Sequence, residues 1–169
     1  SRNIIRANKA THSILTLFPG VSVIGGLNME AAQKADILFI TVPYAAQRSV
    51  LEEVRSVLKN KIVVNTVSPL EFCRKIAQPI TIEAGSAAVE SQNILPNSTI
   101  VAAFHTISAD NLLAVDMLLN TDVIVCADDL KAKKKIMMLA EKINGLRSID
   151  GGDLKNAESL ENFTALLIN

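Results

Sequence analysis

The sequence is poor in the residue types that build metal sites, disulfides and aromatic clusters. Its 169 residues include no tryptophan, one tyrosine, two cysteines and two histidines. Neither the cysteines, Cys73 and Cys126, nor the histidines, His12 and His105, form the closely spaced ligand pairs of structural zinc sites. We therefore expect no metal centre, and two reduced, buried thiols of the kind found in a reducing cytosol.

An excess of charge of either sign is also absent, as are long apolar segments. Lys and Arg number 17 and Asp and Glu number 17, so the formal net charge is zero. Nucleic-acid binders, in contrast, depend on an excess of positive charge. No apolar run approaches the roughly 20 residues of a membrane-spanning helix, and no signal-like basic and apolar segment opens the chain. These absences predict a cytoplasmic protein that binds neither nucleic acid nor membrane.

The sequence does contain a core-forming composition arranged in alternating strands and helices. Hydrophobic residues make up 49% of the chain, and a domain of this size buries about 70% of the surface of its unfolded chain. Unbroken apolar runs are typical of strands buried on both faces of a parallel sheet, so the alternation predicts an α/β doubly wound parallel sheet. We expect the last helix to extend away from this sheet. The predicted strands are 35–42, 61–67, 99–104, 121–126 and 146–149, and the predicted helices are 28–34, 45–59, 86–95, 110–118, 128–143 and 155–169.

Candidate ligand-binding residues follow the predicted strands, because open parallel sheets bind ligands beyond the carboxyl ends of their strands. The segments 41–44, 67–69 and 105–109 supply small, polar and aromatic groups that suit a flat cofactor, and they contain no nucleophile paired with a base. Tyr44 is either an aromatic at the rim of the sheet or a ring contact to the ligand. His105 either bonds to a neighbouring loop or contacts the edge of the ligand.

The glycine motifs of phosphate-binding loops do not occur. The chain has neither GxGxxG nor GxxxxGK followed by Ser or Thr. Gly25 and Gly26 do not lie between a first strand and a helix, which is where backbone amides approach a pyrophosphate. The residues alone therefore indicate an α/β domain that binds a small molecule.

Several long segments together resemble one family. This combination, in this order along the whole chain, is similar to the NADPH-dependent F420 reductases, which exchange hydride between NADP and the 5-deazaflavin coenzyme F420. The resemblance implies a Rossmann-like fold, an oxidoreductase activity, and NADP and coenzyme F420 as cofactors that carry the chemistry. The segments are the opening Ser-Arg-Asn, DILFITVPY (36–44), KIVVNTVSP (61–69), EAGSAAVESQNILP (83–96), VAAFHTISA (101–109), 123–152 and LENFTALLIN (160–169).

The resemblance also bears on how the chain is organised. The family opens with a strand, a glycine-rich loop and a helix, followed by a second strand that ends in Gly-Ser-Arg. Since this chain begins at Ser-Arg, we expect an N-terminally truncated Rossmann-like NADP-binding domain over residues 1–145, followed by a C-terminal strand and helical extension over 146–169. A partner chain that fills the gap in the sheet would make a homo-oligomer, and we expect a dimer.

The start of the chain resembles the family's site for the adenosine end of NADP. Ser1 and Arg2 match the pair that holds the 2′-phosphate, a group that an arginine fork grips well. Arg6 stands where the family often has lysine, and the resemblance implies that it would add a second positive contact. The alternative for Arg2 and Arg6 is a solvated, frayed terminus.

Residues after the first two predicted strands resemble the nicotinamide side of the family's site. Val42 and Pro43 match the segment that lies along the nicotinamide half of NADP. Ala46 and Ser68 match further cofactor-lining positions, with Ser68 replacing an apolar residue. These four residues are expected to bind the cofactor.

The loop after the third predicted strand resembles the family's segment between nicotinamide and deazaflavin. Thr106 and Ala109 are expected to bind the cofactors, and His105 and Ile107 are the expected catalytic positions. Ile107 would press the two rings together, while His105 would position them or act electrostatically. Ser108 replaces a usual proline and frees a φ angle that proline would fix.

Two alternatives stand beside this reductase. Ser68 and Ser108 depart from the family pattern, which leaves open a related NADP-binding reductase with another acceptor, either flavin or ferric iron. The missing glycine loop leaves open a non-catalytic domain, because the pyrophosphate would lose its cradle of backbone amides. In each case the expected partners are small molecules.

Overall fold

The computed structural model describes residues 1–74 and 76–169. The strands are β1 (Ile37–Ile40), β2 (Ile62–Asn65), β3 (Leu70–Cys73), β4 (Ile76–Pro79), β5 (Thr99–Ala102), β6 (Thr121–Val125) and β7 (Leu146–Asp150). The helices are α1 (Ile4–Leu17), α2 (Asn28–Lys34), α3 (Tyr44–Val54), α4 (Ala87–Ile94), α5 (Ala109–Leu113), α6 (Leu130–Ala140) and α7 (Ala157–Ile168), with 3-10 turns at Arg55–Val57 and Leu154–Asn156.

The centre of the fold is a three-stranded parallel sheet in the order β1-β2-β5. A second parallel pair, β6 and β7, continues from it through an antiparallel bridge between Ala102 and Cys126. The strands β3 and β4 form a separate antiparallel hairpin. The alternation of helices with parallel strands confirms the predicted α/β class, since parallel neighbours require crossover connections.

The core lies on both faces of the central sheet, because successive side chains of a strand point to opposite faces. Val63 and Ile100 pack on one side with α3, α4 and α7, whereas Val64 and Val101 pack on the other side with α6. All four side chains are buried. This two-sided burial explains why the strands appear in the sequence as unbroken apolar runs.

Polar residues begin several helices by accepting hydrogen bonds from free backbone amides. The predicted helix 86–95 begins at Ser86, whose Oγ accepts from the amide of Val89 at 3.0 Å and caps α4. Asn3 caps α1 by accepting from the amides of Ile5 and Arg6. Asp129, one residue later than predicted, caps α6. Such caps are worth about 1 kcal/mol each and fix where the helices start.

The expectation that the last helix extends away from the sheet is wrong. Helix α7 packs against α4 and β4 and buries one face, in which Glu161 is only 1% exposed. At its end, the side-chain amide of Asn169 exchanges hydrogen bonds with the backbone of Ala77, at 2.7 and 3.0 Å. The apolar spacing correctly indicated a helix, but the surface that receives it is built from distant parts of the chain.

Two further expectations need correction. Cys126 is buried as expected, but Cys73 is exposed at the tip of the β3-β4 hairpin. The predicted helix 110–118 is reduced to α5, and the residues beyond it are largely exposed. Within the described ranges, every helix is too short or too polar to cross a membrane.

Candidate functional site

A cavity of about 690 Å³ lies at the carboxyl ends of the central strands. The residues that follow β1, β2 and β5 form its floor, and α5, the end of α6 and one turn of α7 complete its walls. Most of these side chains are apolar, as in typical small-molecule sites. The lining residues are Phe39, Thr41, Thr66, Ser68, Phe104, His105, Ile107, Ala109, Leu112, Leu139, Lys142, Ile143 and Thr164.

His105 is the most unusual residue in this cavity. Its side chain is 7% exposed, yet neither ring nitrogen has a hydrogen-bond partner among the described residues. Burial lowers the pKa of His105 to about 4, and the nearby backbone of Val67, although outside hydrogen-bonding geometry, opposes this shift only in part. The imidazole is therefore neutral at pH 7, with one donor and one acceptor nitrogen, both of them buried.

Phe104, the residue before His105, has an unusual backbone conformation. Its φ of 68° lies in the left-handed region, which a bulky residue rarely adopts. The Phe104 ring meets that of Phe39 edge to face, with centroids 5.9 Å apart. Such backbone strain costs about 1–3 kcal/mol and clusters at functional sites. Both rings line the cavity, with their planes inclined at 60° to each other.

A buried polar network around Asn65 holds the loop after β2. The Asn65 Nδ2 donates to Gln47 Oε1 and to Ser91 Oγ, each at 2.8 Å. The Asn65 Oδ1 accepts from the amide of Val67 at 2.9 Å, which fixes the approach to Ser68. Sequence reasoning missed this network, although an asparagine inside an apolar strand was a visible signal.

Helix α7 contacts the surroundings of the cavity through Thr164 and Glu161, two side chains that sequence reasoning also missed. The Thr164 hydroxyl lies 3.3 Å from the carbonyl of His105. The Glu161 carboxylate accepts from the amides of Ala87 and Ala88 at 2.7 and 3.1 Å, at the start of α4. Burial raises the pKa of Glu161 to about 7 in spite of these two bonds. A single acid in the apolar stripe of the last helix was the available signal.

The cavity brings together some of the residues expected from the family pattern. Ser68, His105, Ile107 and Ala109 all line it. Thr106 instead faces a neighbouring cleft, where its hydroxyl lies 3.4 Å from the carbonyl of Asp122.

Of the residues after β1, Thr41 lines the cavity, whereas Val42, Pro43, Tyr44 and Ala46 lie outside its walls. Val42 packs against the core, and Pro43 begins α3 and accepts from the amide of Ala46 at 2.8 Å. Tyr44 is half-buried against the core beside Glu90, where burial raises the pKa of its hydroxyl. These residues therefore lie beside the carboxyl end of β1, next to the cavity.

The start of the chain lies beside α2 and α3. The carbonyl of Ser1 accepts from the amide of Asn28 at 3.0 Å. The Arg2 guanidinium reaches α3, where Nη2 lies 2.6 Å from Ser49 Oγ and Nε lies 3.6 Å from Glu53 Oε2. Arg6 is exposed on the first turn of α1. The structure thus places Ser1 and Arg2 in a defined geometry.

Parallel strands covered by helices, with an apolar cavity at their carboxyl ends, define a doubly wound α/β protein of the class that binds flat cofactors at that edge. The sequence model of the family "NADP oxidoreductase, coenzyme F420-dependent" matches residues 1–69. The chain is 35% identical to the F420-dependent NADP reductase of Methanothermobacter thermautotrophicus, over all of this chain and 75% of the relative. The corresponding reductase of Methanothermobacter marburgensis is 34% identical over all of this chain and 78% of its own length.

The chain therefore belongs to the family of F420-dependent NADP reductases, which confirms the resemblance drawn from the sequence. A crystal structure from Arthrobacter sp. FB24, provisionally assigned as an F420-dependent NADP reductase, superposes with a TM-score of 0.75. It shares 22% identity and covers 92% of this chain and 75% of its own. That likeness supports the fold.

Proposed function

We propose that this protein is an oxidoreductase that transfers hydride between NADPH and coenzyme F420. Family membership supports the reaction, and the cavity of about 690 Å³ at the strand ends supports the place where it occurs. The single observation that carries the assignment of the site is the buried imidazole of His105, a cavity-lining residue whose two ring nitrogens have no partner among the residues that the structure describes. Buried polar atoms in proteins nearly always have hydrogen-bond partners, so we infer that a bound cofactor ring is the partner of His105.

The residues of the cavity fit a flat ring with a polar edge. Phe39, Phe104 and Ile107 offer apolar surfaces against which a ring can stack, and His105 offers a donor and an acceptor at its edge. When bound, the nicotinamide and the deazaflavin supply the hydride chemistry between them. The protein then contributes proximity, alignment and exclusion of water, which together lower the barrier. Ile107 would hold the rings against each other, and His105 would orient one of them as a neutral group.

The nicotinamide cofactor would extend from the cavity along the carboxyl edge of the sheet. The 2′-phosphate would bind Arg2, because an arginine fork favours phosphate groups. The proposed cofactor-binding residues are Ser1, Arg2, Arg6, Val42, Pro43, Ala46, Ser68, Thr106 and Ala109.

We further propose that the protein is a cytoplasmic homodimer. The outer face of α7 supports an interface between copies, because Phe163, Leu166 and Leu167 are large, apolar and exposed. Contiguous apolar surface of this kind is typical of interaction sites. Light scattering that gives the mass of one chain would contradict the dimer.

The test of the function is an acceptor comparison with purified protein. NADPH and NADH are each mixed with F420, with flavin mononucleotide and with a ferric chelate, and oxidation of the nicotinamide is followed. The proposal predicts turnover with NADPH and F420, and little turnover with NADH or the other acceptors. Turnover with a ferric chelate or flavin but not with F420 would favour the alternative acceptors, and failure of NADPH to bind would favour a non-catalytic domain.

A further inference from the structure

The Arg2 guanidinium is held by two side chains on one face of α3. Its Nη2 donates to Ser49 Oγ at 2.6 Å, and its Nε lies 3.6 Å from Glu53 Oε2. Positions 49 and 53 are one helical turn apart, so they present their side chains to the same neighbour. The resemblance that singled out Arg2 assigned no role to either residue.

Ser49 is oriented to accept a hydrogen bond from Arg2. A hydroxyl has one proton to donate, and the Ser49 hydroxyl donates it to the carbonyl of Ala46 at 3.0 Å. Its lone pairs are therefore free to accept from the guanidinium. This short relay connects Arg2 with Ala46, which are two of the residues proposed to bind NADP, and it restricts the rotamers of a long, exposed side chain.

Glu53 acts on the same guanidinium through its charge. Its carboxylate also accepts from Asn28 Nδ2 at 3.3 Å, which keeps it beside Arg2. The Glu53 side chain is 35% exposed and that of Arg2 is 57% exposed, so the ion pair is screened and weak. A phosphate that approaches Arg2 nevertheless meets a carboxylate that partly offsets the positive charge.

We propose that Ser49 and Glu53 set the affinity of Arg2 for the 2′-phosphate of NADP. Ser49 is a positioning residue that holds the guanidinium in place, and Glu53 is a counter-charge that limits how strongly the phosphate binds. This inference rests on the proposed function, because it assumes that Arg2 receives the 2′-phosphate. It predicts that neutral substitutions at the two positions change NADP binding in opposite directions.

The experiment measures the dissociation constants of NADP+ and NAD+ by titration calorimetry for the wild type and for the variants Ser49→Ala and Glu53→Gln. Loss of one hydrogen bond to a charged group weakens NADP+ binding about tenfold in Ser49→Ala. Removal of the counter-charge tightens NADP+ binding about threefold in Glu53→Gln. NAD+ binding stays unchanged in both variants, since NAD+ has no 2′-phosphate. Arg2→Ala gives the full loss of preference for NADP+.

Matched controls separate this role from a structural one. Ser13→Ala removes a helix serine whose hydroxyl donates to the carbonyl of Lys9, far from Arg2. Glu52→Gln removes the neighbouring acid, which pairs with Arg48 at 3.9 Å. Both controls are expected to keep the wild-type preference for NADP+. All of the variants are expected to keep the wild-type melting temperature.

The outcomes distinguish this inference from the proposed function. A wild type that binds NADP+ no better than NAD+ would overturn the role of Arg2, and with it the inference. A wild type that prefers NADP+ while Ser49→Ala keeps the full preference would leave the proposed function intact and overturn the role of Ser49. Weaker NADP+ binding in Glu53→Gln would overturn the role of Glu53 as a counter-charge.

Discussion

The buried polar groups around Asn65 and those of His105 lie at the carboxyl end of the same sheet but differ in how they are hydrogen-bonded. Asn65, Gln47 and Ser91 are fully buried, and each forms hydrogen bonds within their shared network. Within the described part of the chain, the ring nitrogens of His105 are the buried side-chain atoms without any partner. The first group is satisfied within the fold, whereas we propose that a ligand supplies the hydrogen bonds of the second.

This difference has a cost in stability. A buried polar group without a partner destabilises a protein by about 1–3 kcal/mol. The left-handed backbone of Phe104 next to His105 adds strain at the same place. Backbone strain and buried atoms without partners among the described residues thus occur together at the proposed site, while the side chains of the neighbouring Asn65 network are hydrogen-bonded.

The largest change in stability is expected when the hydrogen-bond network around Asn65 is broken. Asn65→Ala should lower the free energy of unfolding by roughly 3 kcal/mol, because it leaves several buried partners unsatisfied. Urea denaturation measures the change, with the exposed Asn93→Ala on α4 as control. A loss below about 1 kcal/mol, the size typical of an ordinary substitution, would show that the network does not support the fold.

A smaller, pH-dependent effect is expected at Glu161, which joins α7 to α4. Its folded pKa of about 7 lies above the value of 4.5 for a free carboxyl. The folded state thus holds more protons between these two values, and stability falls as the pH rises through this window. Glu161→Gln removes this dependence.

The measurement is urea denaturation of the wild type and Glu161→Gln at pH 5 and pH 8. The variant should gain roughly 2 kcal/mol relative to the wild type between the two values. Glu71→Gln, at an exposed position on β3, provides the matched control and should show no such gain. An equal difference from the wild type at both pH values would contradict the raised pKa.

The smallest change in stability is expected at His105, where a substitution should stabilise the protein. His105→Leu removes two buried unpaired nitrogens and should raise the free energy of unfolding by about 1 kcal/mol at pH 7. Reduction of F420 should become slower in the same variant. His12→Gln on the exposed face of α1 should change neither quantity. A destabilised His105→Leu protein with normal activity would assign His105 to the structure instead of the site.

The folded pKa of His105 adds a pH dependence to this comparison. It lies near 4, below the ordinary value of 6.5, so the wild type loses stability as the pH falls from about 6.5 towards 4. His105→Leu should lose less stability over this range. The free energy of unfolding of the two proteins is measured by urea denaturation from pH 7 to pH 4.5. An equal loss in both proteins over this range would contradict the lowered pKa.

Local patterns predicted the features that depend on local physics. The apolar runs at 37–40, 62–65 and 99–102 indicated buried parallel strands, and Ser86 indicated the start of α4. The β3-β4 hairpin was missed because its exposed positions include the large apolar residues Phe72 and Ile76. The strands therefore lack the alternation of buried apolar and exposed polar residues that usually reveals a strand in the sequence.

The contacts that build the candidate site were not predictable in the same way. Glu161 meets Ala87, and Thr164 meets the carbonyl of His105, across long separations in sequence that only the folded chain brings together. Position along the chain could nominate His105, because it follows a buried strand. It could not show that both ring nitrogens are buried and unpaired.

The most direct test of the central claim is nitrogen NMR of the histidine rings in the intact protein. The sequence has two histidines, so exposed His12 serves as an internal control for His105. NADP+ and F420 are added separately and then together. The account predicts that the His105 ring nitrogens shift when the cofactors bind while those of His12 do not. Saturating cofactor that leaves the His105 signals unchanged would contradict the assignment of this cavity as the site of hydride transfer.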